Sequence, residues 1–424
     1  MKKTLRPERV LLISQVYVPD PAAVGQHMAD VAEELVRRGH TVSVLTSAQG
    51  YDDPSRRFPS HEALHGVNVR RLGYSSFGKA SFSRRMLGSV LFLVQAAVRA
   101  LFSGRVDVIL VSTSPPMAAA VAAVIGRLKG ARVVYWLMDL NPDQLIAARL
   151  ITADSLLARS LRALNSFSVR GADTLVVLDD VMATRVLRHV TPKRPILVMP
   201  PWSHDEVVTT VPAHENPFRS NHGIGANRIV MYSGNHAISS PVATLLRAIE
   251  RTSADDRLRF FFIGGGLRFA EVKAVADVRV KTLPYQPLEQ VRFQLSAADV
   301  HVITLDDEYV GVVHPCKFYS ALSLGKPILY LGRADSPFGR LVVDDRLGWQ
   351  VDHGDVSGAE RALAAIAGVS AGELVELGRR ARKVYERIML AHSPRDRVAD
   401  AVSAPVHQRA PVAAPAAQRR ASVG

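Results

Sequence analysis

Short apolar runs alternate with segments of helical spacing along most of the chain. RVLLISQVYV (9–18) is an apolar run of strand length, and MADVAEELVRRGH (28–40) has helical spacing that stops at Gly39. TVSVLTS (41–47) reads as a strand, VNVRRL (67–72) as a half-exposed one, and a helix covers about 82–102. DVILVSTSPP (107–116) predicts a strand and a proline turn, followed by an alanine-rich helix to about 129. ARVVYWLMDLNPDQ (131–144) is a buried strand that opens into a polar loop; TLVVLDD (174–180) and PILVMPPW (195–202) are further strands. The pattern then restarts. RIVMYSGN (228–235) is a strand, SPVATLLRAIER (240–251) a serine-capped helix, and LRFFFIGGG (258–266) a strand running into glycines. VRVKTLPY (278–285), DVHVITL (299–305) and KPILYLG (326–332) complete the set, with helices between. Strands separated by helices throughout imply parallel sheets covered on both faces, and two such runs imply two doubly wound α/β domains. The proline-rich polar sequence near 200–215 marks the boundary, and the Pro/Ala-rich tail 404–424 is predicted to be disordered.

Length agrees with this division, since 424 residues exceed one ordinary core. The single cysteine, Cys316, excludes an intrachain disulfide and fits a reducing compartment. The opening MKKTLRPERVLLISQVYVP has an apolar run too short for a signal peptide and reads as a first strand. The apolar region 86–104 is interrupted by Gln95 and Arg99, which predicts a buried or interfacial helix rather than a membrane span. Net charge is +14, and residues 1–200 carry +11 of it, from 26 Lys+Arg and 15 Asp+Glu. A basic first half favours an anionic partner. The arginine pairs at 37–38, 56–57, 70–71 and 84–85 are not interleaved with aromatics, and no nucleic-acid motif accompanies them. Beside the apolar 86–104 segment, the bias points to a membrane surface.

In parallel sheets ligands bind beyond the C-terminal ends of the strands, and five segments sit there. In QVYVPDPAAVGQHMADVAEEL (15–35), Gly25 stands close to a helix start, where glycine lets a ligand approach the backbone or merely permits a tight turn. GxGxxG is absent, which argues against a dinucleotide. In WLMDLNPDQ (136–144), Asp139 could accept a proton or bond a sugar hydroxyl, oriented by Asn141, or could cap a helix begun by Pro142. Asp139 and Asp143 have no third ligand at suitable spacing, so no metal site is expected. In MYSGNHAISSP (231–241), Ser233, Gly234 and Asn235 form a small-residue loop of the kind that cradles phosphate, and His236 reads as a polar surface residue. FFFIGGGLR (260–268) adds a glycine loop that includes Gly265. In YVGVVHPCKFYSALSLGKP (309–327) a helix pattern starts at Pro315, with Lys317 in its first turn. A lysine there opposes the helix dipole by about 0.5 kcal/mol, a conflict that a shared anion would remove. The alternative is that Lys317 points into solvent.

Together, ELVRRGHTVSVLTS, DVILVSTSPPMAAA, LMDLNPDQ, MYSGNHA, FFIGGG and VVHPCKFYSALSLGKPILYLG resemble family 4 of the glycosyltransferases, over about 9–400. These are retaining enzymes of the GT-B fold, two Rossmann-like domains facing across a cleft. Within the family the chain is most similar to transferases of bacterial surface-polysaccharide assembly, of the O-antigen fucosamine type. The resemblance implies an acceptor-side domain over 1–205, a donor-binding domain over 206–385, and a helix over 386–403 that crosses back to the first domain. It implies a nucleotide-diphosphate sugar, UDP- or GDP-linked, as co-substrate, with no metal and no other cofactor. The family's phosphate loop of the first domain falls on Gly25, and its donor-phosphate loop on Ser233, Gly234 and Asn235. Its diphosphate-binding helix start falls on Pro315 and Lys317, and the acidic acceptor-side position on Asp139. The implied acceptor is lipid-linked or a surface polysaccharide, and the implied location is cytoplasmic, on the inner face of the membrane.

One departure bears on the donor. Many members carry two Glu residues before the GxP turn, and those places hold Val312 and Ser320. Asp307 or Glu308 from the preceding loop are the nearest substitutes. A nucleotide-sugar epimerase of related architecture, and a non-catalytic module that binds nucleotide sugar or membrane, are the alternative readings.

Overall fold

The computed structural model describes residues 6–20, 22–50, 53, 55–75, 82–203, 210–252, 257–390 and 393–403. The expected disordered tail, 404–424, lies outside the described residues. The chain divides into two compact units. Unit 1 holds Met1–Pro142, Leu156–Pro200 and Arg395–Gly424; unit 2 holds Asp143–Ser155 and Pro201–Pro394.

Unit 1 runs β1 (Arg9–Ile13), α1 (Ala23–Arg37), β2 (Thr41–Ser47), β3 (His61–Leu64), β4 (Val67–Leu72), α2 (Phe82–Leu101), β5 (Val108–Val111), α3 (Ala118–Lys129) and β6 (Arg132–Trp136). After α4 (Asp143–Ala147), which belongs to unit 2, come α5 (Leu156–Gly171), β7 (Thr174–Val177), α6 (Asp180–Leu187) and β8 (Leu197–Val198). The sheet order is β3-β4-β2-β1-β5-β6-β7-β8. Every pair is parallel except β3–β4. The central strands β5 and β7 are buried at every position, as expected where helices cover both faces. Two expectations change. β1 ends at Ile13 rather than 18, because the Ser14 hydroxyl donates to the Val16 carbonyl and the chain leaves the ladder. The strand β3 was not expected. It joins β4 through His65 and Gly66, both at positive φ, the geometry of a two-residue hairpin turn.

Unit 2 runs α7 (Pro217–Asn221), β9 (Arg228–Asn235), α8 (Ala243–Arg251), β10 (Leu258–Gly265), α9 (Phe269–Lys273), β11 (Val280–Leu283), α10 (Leu288–Ala297) and β12 (Val300–Thr304). A 3-10 turn (Asp307–Tyr309), α11 (Lys317–Ser323), β13 (Ile328–Leu331), α12 (Pro337–Asp344), β14 (Gly348–Val351), α13 (Val356–Gly368) and α14 (Ala371–Leu390) follow. Its sheet is wholly parallel, in the order β11-β10-β9-β12-β13-β14. Alternation along β10 divides the core: Phe260 and Phe262 join one apolar cluster, Phe261 and Ile263 the other. Helix α8 starts at Ala243 with Val242 before it and no side-chain cap; Ser240 instead closes a turn onto the Ala237 carbonyl. The edge strand β14, four residues beginning at a glycine, was also not expected.

The boundaries differ from the sequence reading in two places. The units part at Pro200, not 205, and Asp143–Ser155 packs with unit 2, where α4 lies against the 3-10 turn. The last helix, α15 (Pro394–Ser403), belongs to unit 1 from Arg395 onward, while 386–394 stays with unit 2.

Within unit 1, α15 docks on α1 and the sheet. Arg38 donates to the Asp400 carboxylate at 2.6 Å and pairs with Glu34 at 2.6 Å; Arg132 donates to the Val402 carbonyl at 3.0 Å. Val398, Ala399 and Val402 are fully buried. Replacing Val398 by Asp places a carboxylate in this apolar contact, at a cost of about 3 kcal/mol. We expect the calorimetric transition of unit 1 to fall by about 6–12 °C; an unchanged melting point would show that α15 adds little to the fold.

Candidate functional site

In unit 2, β9 and β10 stay in register to their last residues, so Gly234 pairs with Gly264 and Asn235 with Gly265. Gly234, Gly264 and Gly266 all take positive φ, between 119° and 130°. A Cβ on Gly264 would strike the Gly234 carbonyl, one on Gly266 the Asn235 side chain, and one on Gly234 the Lys317 side chain. These glycines therefore let two strand ends and a lysine crowd into one place. The missing side chain of Gly265 leaves room for the Tyr285 ring, and its carbonyl accepts from the His236 N–H at 2.7 Å.

Lys317 is the first residue of α11, and its stem turns away from the helix towards β9. The ammonium donates to the Tyr232 hydroxyl at 2.7 Å and the Asn235 carbonyl at 3.0 Å, and sits 4.3 Å from the Tyr232 ring centroid. The Tyr232 hydroxyl donates to the same carbonyl at 2.7 Å. An ammonium has three N–H bonds, so one is left for a ligand.

The helix start is less open than the sequence suggested. It lies at Lys317, two residues after Pro315, and α11 has only seven residues. The N–H groups of Cys316, Phe318 and Tyr319 already donate to the carbonyls of His314, Pro315 and Cys316, each at 3.0 Å. The positive character of this place therefore rests on the Lys317 side chain more than on a helix terminus.

Ser233 accepts a 2.6 Å hydrogen bond from the buried amide of Gln294 on α10. Asn235 is exposed, but His236 is not the surface residue that the sequence suggested. Its ring is fully buried among Tyr232, Phe262 and Phe269, with centroids 4.4, 6.3 and 4.9 Å away. Among the described residues neither ring nitrogen makes a well-formed hydrogen bond. Burial first, and then the charge of Lys317, push its pKa down to about 4, against a small opposing effect of the Ile263 backbone. A neutral imidazole thus underlies the loop.

Three participants escaped the sequence reading. Tyr232 and Gln294 look like ordinary strand and helix residues, and only the fold brings them to Lys317 and Ser233. The third, His314, is stacked on Tyr319 and shares a 2.9 Å hydrogen bond with its hydroxyl. At the positions of the absent Glu pair, Val312 is fully buried and Ser320 lies 3.4 Å from the Ser203 hydroxyl. Asp307 and Glu308 are exposed on the 3-10 turn.

In unit 1, Asp139 follows β6 and is half-buried. Among the described residues no hydrogen bond reaches its carboxylate, and burial raises its pKa from 3.8 to about 6. It does not cap a helix, since α4 begins at Asp143. Asn141 is buried two positions on. Gly25 lies in the first turn of α1, where a Cβ would come 3.0 Å from the Tyr17 backbone. Its smallness therefore serves the packing of α1 onto its own loop.

The raised pKa of Asp139 gives a signed test. Between about pH 4 and 6 the folded chain holds a proton that the unfolded chain has released. The stability from this group is therefore complete below pH 4 and is lost as pH rises through 6. Asp139→Asn cannot ionise. Discounted for partial solvent access, urea unfolding should show it equal to the parent at pH 4 and more stable by about 1–2 kcal/mol at pH 8. Loss of stability at pH 8 would instead give Asp139 a structural role.

Comparison with known proteins agrees with this architecture. Residues 22–202 match the family model of the glycosyl transferase 4-like domain. The chain is 28% identical over 385 residues to the probable glycosyltransferase WbjE of Pseudomonas aeruginosa, covering 89% of this chain and 94% of that protein. Among solved structures it resembles WaaG, a glycosyltransferase involved in lipopolysaccharide biosynthesis, at TM-score 0.68 and 15% identity, covering 93% of this chain and 100% of the other. It likewise resembles Anabaena HepE in complex with UDP-glucose, at TM-score 0.66 and 15% identity, covering 93% and 99%. Residues 22–202 thus match the glycosyl transferase 4-like family, and over most of its length the chain is similar to glycosyltransferases and has the GT-B fold.

Proposed function

We propose that the chain is a retaining, metal-independent transferase. It moves a hexosyl or N-acetylhexosaminyl group from a UDP- or GDP-sugar to a lipid-linked or surface-polysaccharide acceptor. The observation that carries this is the Lys317 ammonium, held by Tyr232 and the Asn235 carbonyl at a turn walled by glycines. When the bond between the anomeric carbon and the diphosphate breaks, negative charge grows on the departing oxygens. A cation already held in place stabilises that charge without reorganising. Gly234 makes room for the Lys317 stem and Gly265 for the Tyr285 ring beside it, Ser233 is fixed by Gln294, and Asn235 is exposed to a ligand. The buried His236 stays neutral and adds no competing charge. Asp139 of unit 1, with Asn141 nearby, is assigned to the acceptor hydroxyl; its raised pKa suits proton exchange near neutral pH.

The UDP-glucose bound to the similar HepE supports a nucleotide-sugar donor, and the role of WaaG in lipopolysaccharide biosynthesis supports a surface-glycan acceptor. A cytoplasmic location follows from that donor class, and no cofactor beyond the nucleotide sugar enters the reading.

Lys317→Ala should lower transfer about 10²–10³-fold while the melting curve stays close to that of the parent. Near-parental activity would remove Lys317 from the mechanism. A second measurement is thermal stabilisation by a panel of nucleoside diphosphates. A ligand at 100 times its Kd adds about 2.7 kcal/mol to the folded state, which moves the midpoint by a few degrees. A shift with UDP or GDP that Lys317→Ala abolishes is the expected result; no shift with any diphosphate would overturn the donor site.

A further inference from the structure

Helix α2 packs on β4, and beneath its C-terminal end a space is left open against the sheet. This cavity of about 430 Å³ is lined by β1, β2, β4 and β3 on one side, and by Arg99 of α2 and Ser103 beyond it on the other. Such a volume lies within the roughly 300–1,000 Å³ of small-molecule sites. The strand register shows which side chains share the cavity face. Leu11 pairs with Ser43 and Ser43 with Asn68, while Leu45 pairs with Arg70 and Arg70 with His61. Paired residues point to the same side of a sheet, as do residues two apart on one strand, so all six stand on one face. Leu11 and Leu45 are its buried floor.

The two arginines bring one sign of charge to this space. Arg70 is half-buried and Arg99 is exposed. One carboxylate, Glu62, borders the cavity, but it pairs with Val69 across the ladder and therefore stands on the opposite face. There Arg71 donates to it through Nε at 2.9 Å and again through Nη2. Glu62 is thus taken by Arg71 and does not offset Arg70. Among the described residues neither Arg70 nor Arg99 has an acidic partner, and the side chains of Ser43 and Asn68 make no hydrogen bond. Polar residues on an outer strand are ordinary where water alone covers them. Here a helix overhangs them, and two guanidinium groups border one space with no carboxylate turned into it.

We propose that this cavity is a second ligand site, which takes a small sugar bearing an oxyanion, a phosphate or a carboxylate. Guanidinium groups hold either oxyanion through paired, charge-assisted hydrogen bonds. Ser43 and Asn68 offer donors and acceptors to sugar hydroxyls, and the leucine floor suits the C–H face of a ring. The site lies within unit 1 and uses none of the residues assigned to the donor or to the acceptor hydroxyl, so it does not rest on the proposed transfer.

The test is isothermal titration calorimetry of the full chain in phosphate-free buffer, with glucose 6-phosphate, glucuronate, glucose and inorganic phosphate as probes. At least one of the two anionic sugars should bind with a Kd of about 1 mM or tighter, and glucose at least about tenfold more weakly. Which of the two binds better tells a phosphate site from a carboxylate site. R70A/R99A should keep the parental melting point and lose at least about tenfold in affinity, because charge-assisted hydrogen bonds are lost. Arg99→Ala alone, at an exposed position, should weaken binding in the same direction with no effect through the fold. Lys317→Ala should bind as the parent does, which separates this cavity from the donor site. The proposal is overturned if neither anionic sugar binds at about 10 mM, or if R70A/R99A and Arg99→Ala both bind as the parent does. It is equally overturned if binding is lost in Lys317→Ala alone, since the anion then sits in the donor site, or if inorganic phosphate binds as tightly as the anionic sugars, since no sugar is then recognised.

Discussion

Parallel pairing of strands is the constraint from which the rest of each unit follows. A parallel ladder cannot close with a tight turn, so every strand is followed by a crossover that returns to the far edge of the sheet. Helices then cover the faces, and all the strand ends open on one edge. That is why residues as distant in sequence as Gly234 and Gly264 end side by side, and why Lys317, on the crossover after β12, reaches the same place. The exception shows the rule from the other side. β3 and β4 are antiparallel, need only His65 and Gly66 to connect them, and sit at the outer edge.

Within unit 2 the same constraint creates an electrostatic problem with a local solution. Lys317 begins a helix, where a cation is unwelcome, yet its ammonium is drawn off to a carbonyl and an aromatic face on β9. Beneath it lies His236, buried and kept neutral by its surroundings and by the lysine itself. The result is one cation beside a glycine-lined turn, positioned before any ligand arrives. Preorganisation of this kind is what the departure of a charged group requires.

Unit 1 poses a different problem on its outer strands. Arg70 and Arg99 border one cavity with no carboxylate turned into it, an arrangement that packing within the unit does not explain. Asp139 is likewise costly to the fold, since its surroundings disfavour the charged form that it would hold in water. Features that reduce stability without helping the fold are where function is read most directly.

Much of this was legible in the sequence. Alternating apolar runs and helical spacing determined the parallel α/β class and the two-fold restart, and β2, β4 and β9 occupy the expected residues, because each needs only its own neighbours to declare a strand. Gly234, Gly265 and Lys317 could be singled out from their place beyond strand ends. Two edge strands could not: β3 (HEAL) and β14 (GWQV) lie at the ends of their sheets and carry no apolar run. Nor could partnerships. The tie of Lys317 to Tyr232 spans 85 residues and that of Gln294 to Ser233 spans 61, and no local pattern encodes either. The same limit holds for His236, read as a surface residue and found in the core, and for Arg70 and Arg99, which only the packing of α2 on β4 brings to one cavity. The sequence determined which segments are strands and helices, because period and propensity are local. Only the tertiary structure decided which apolar face is buried and which charge meets which partner, because burial and ion pairing depend on what lies across space.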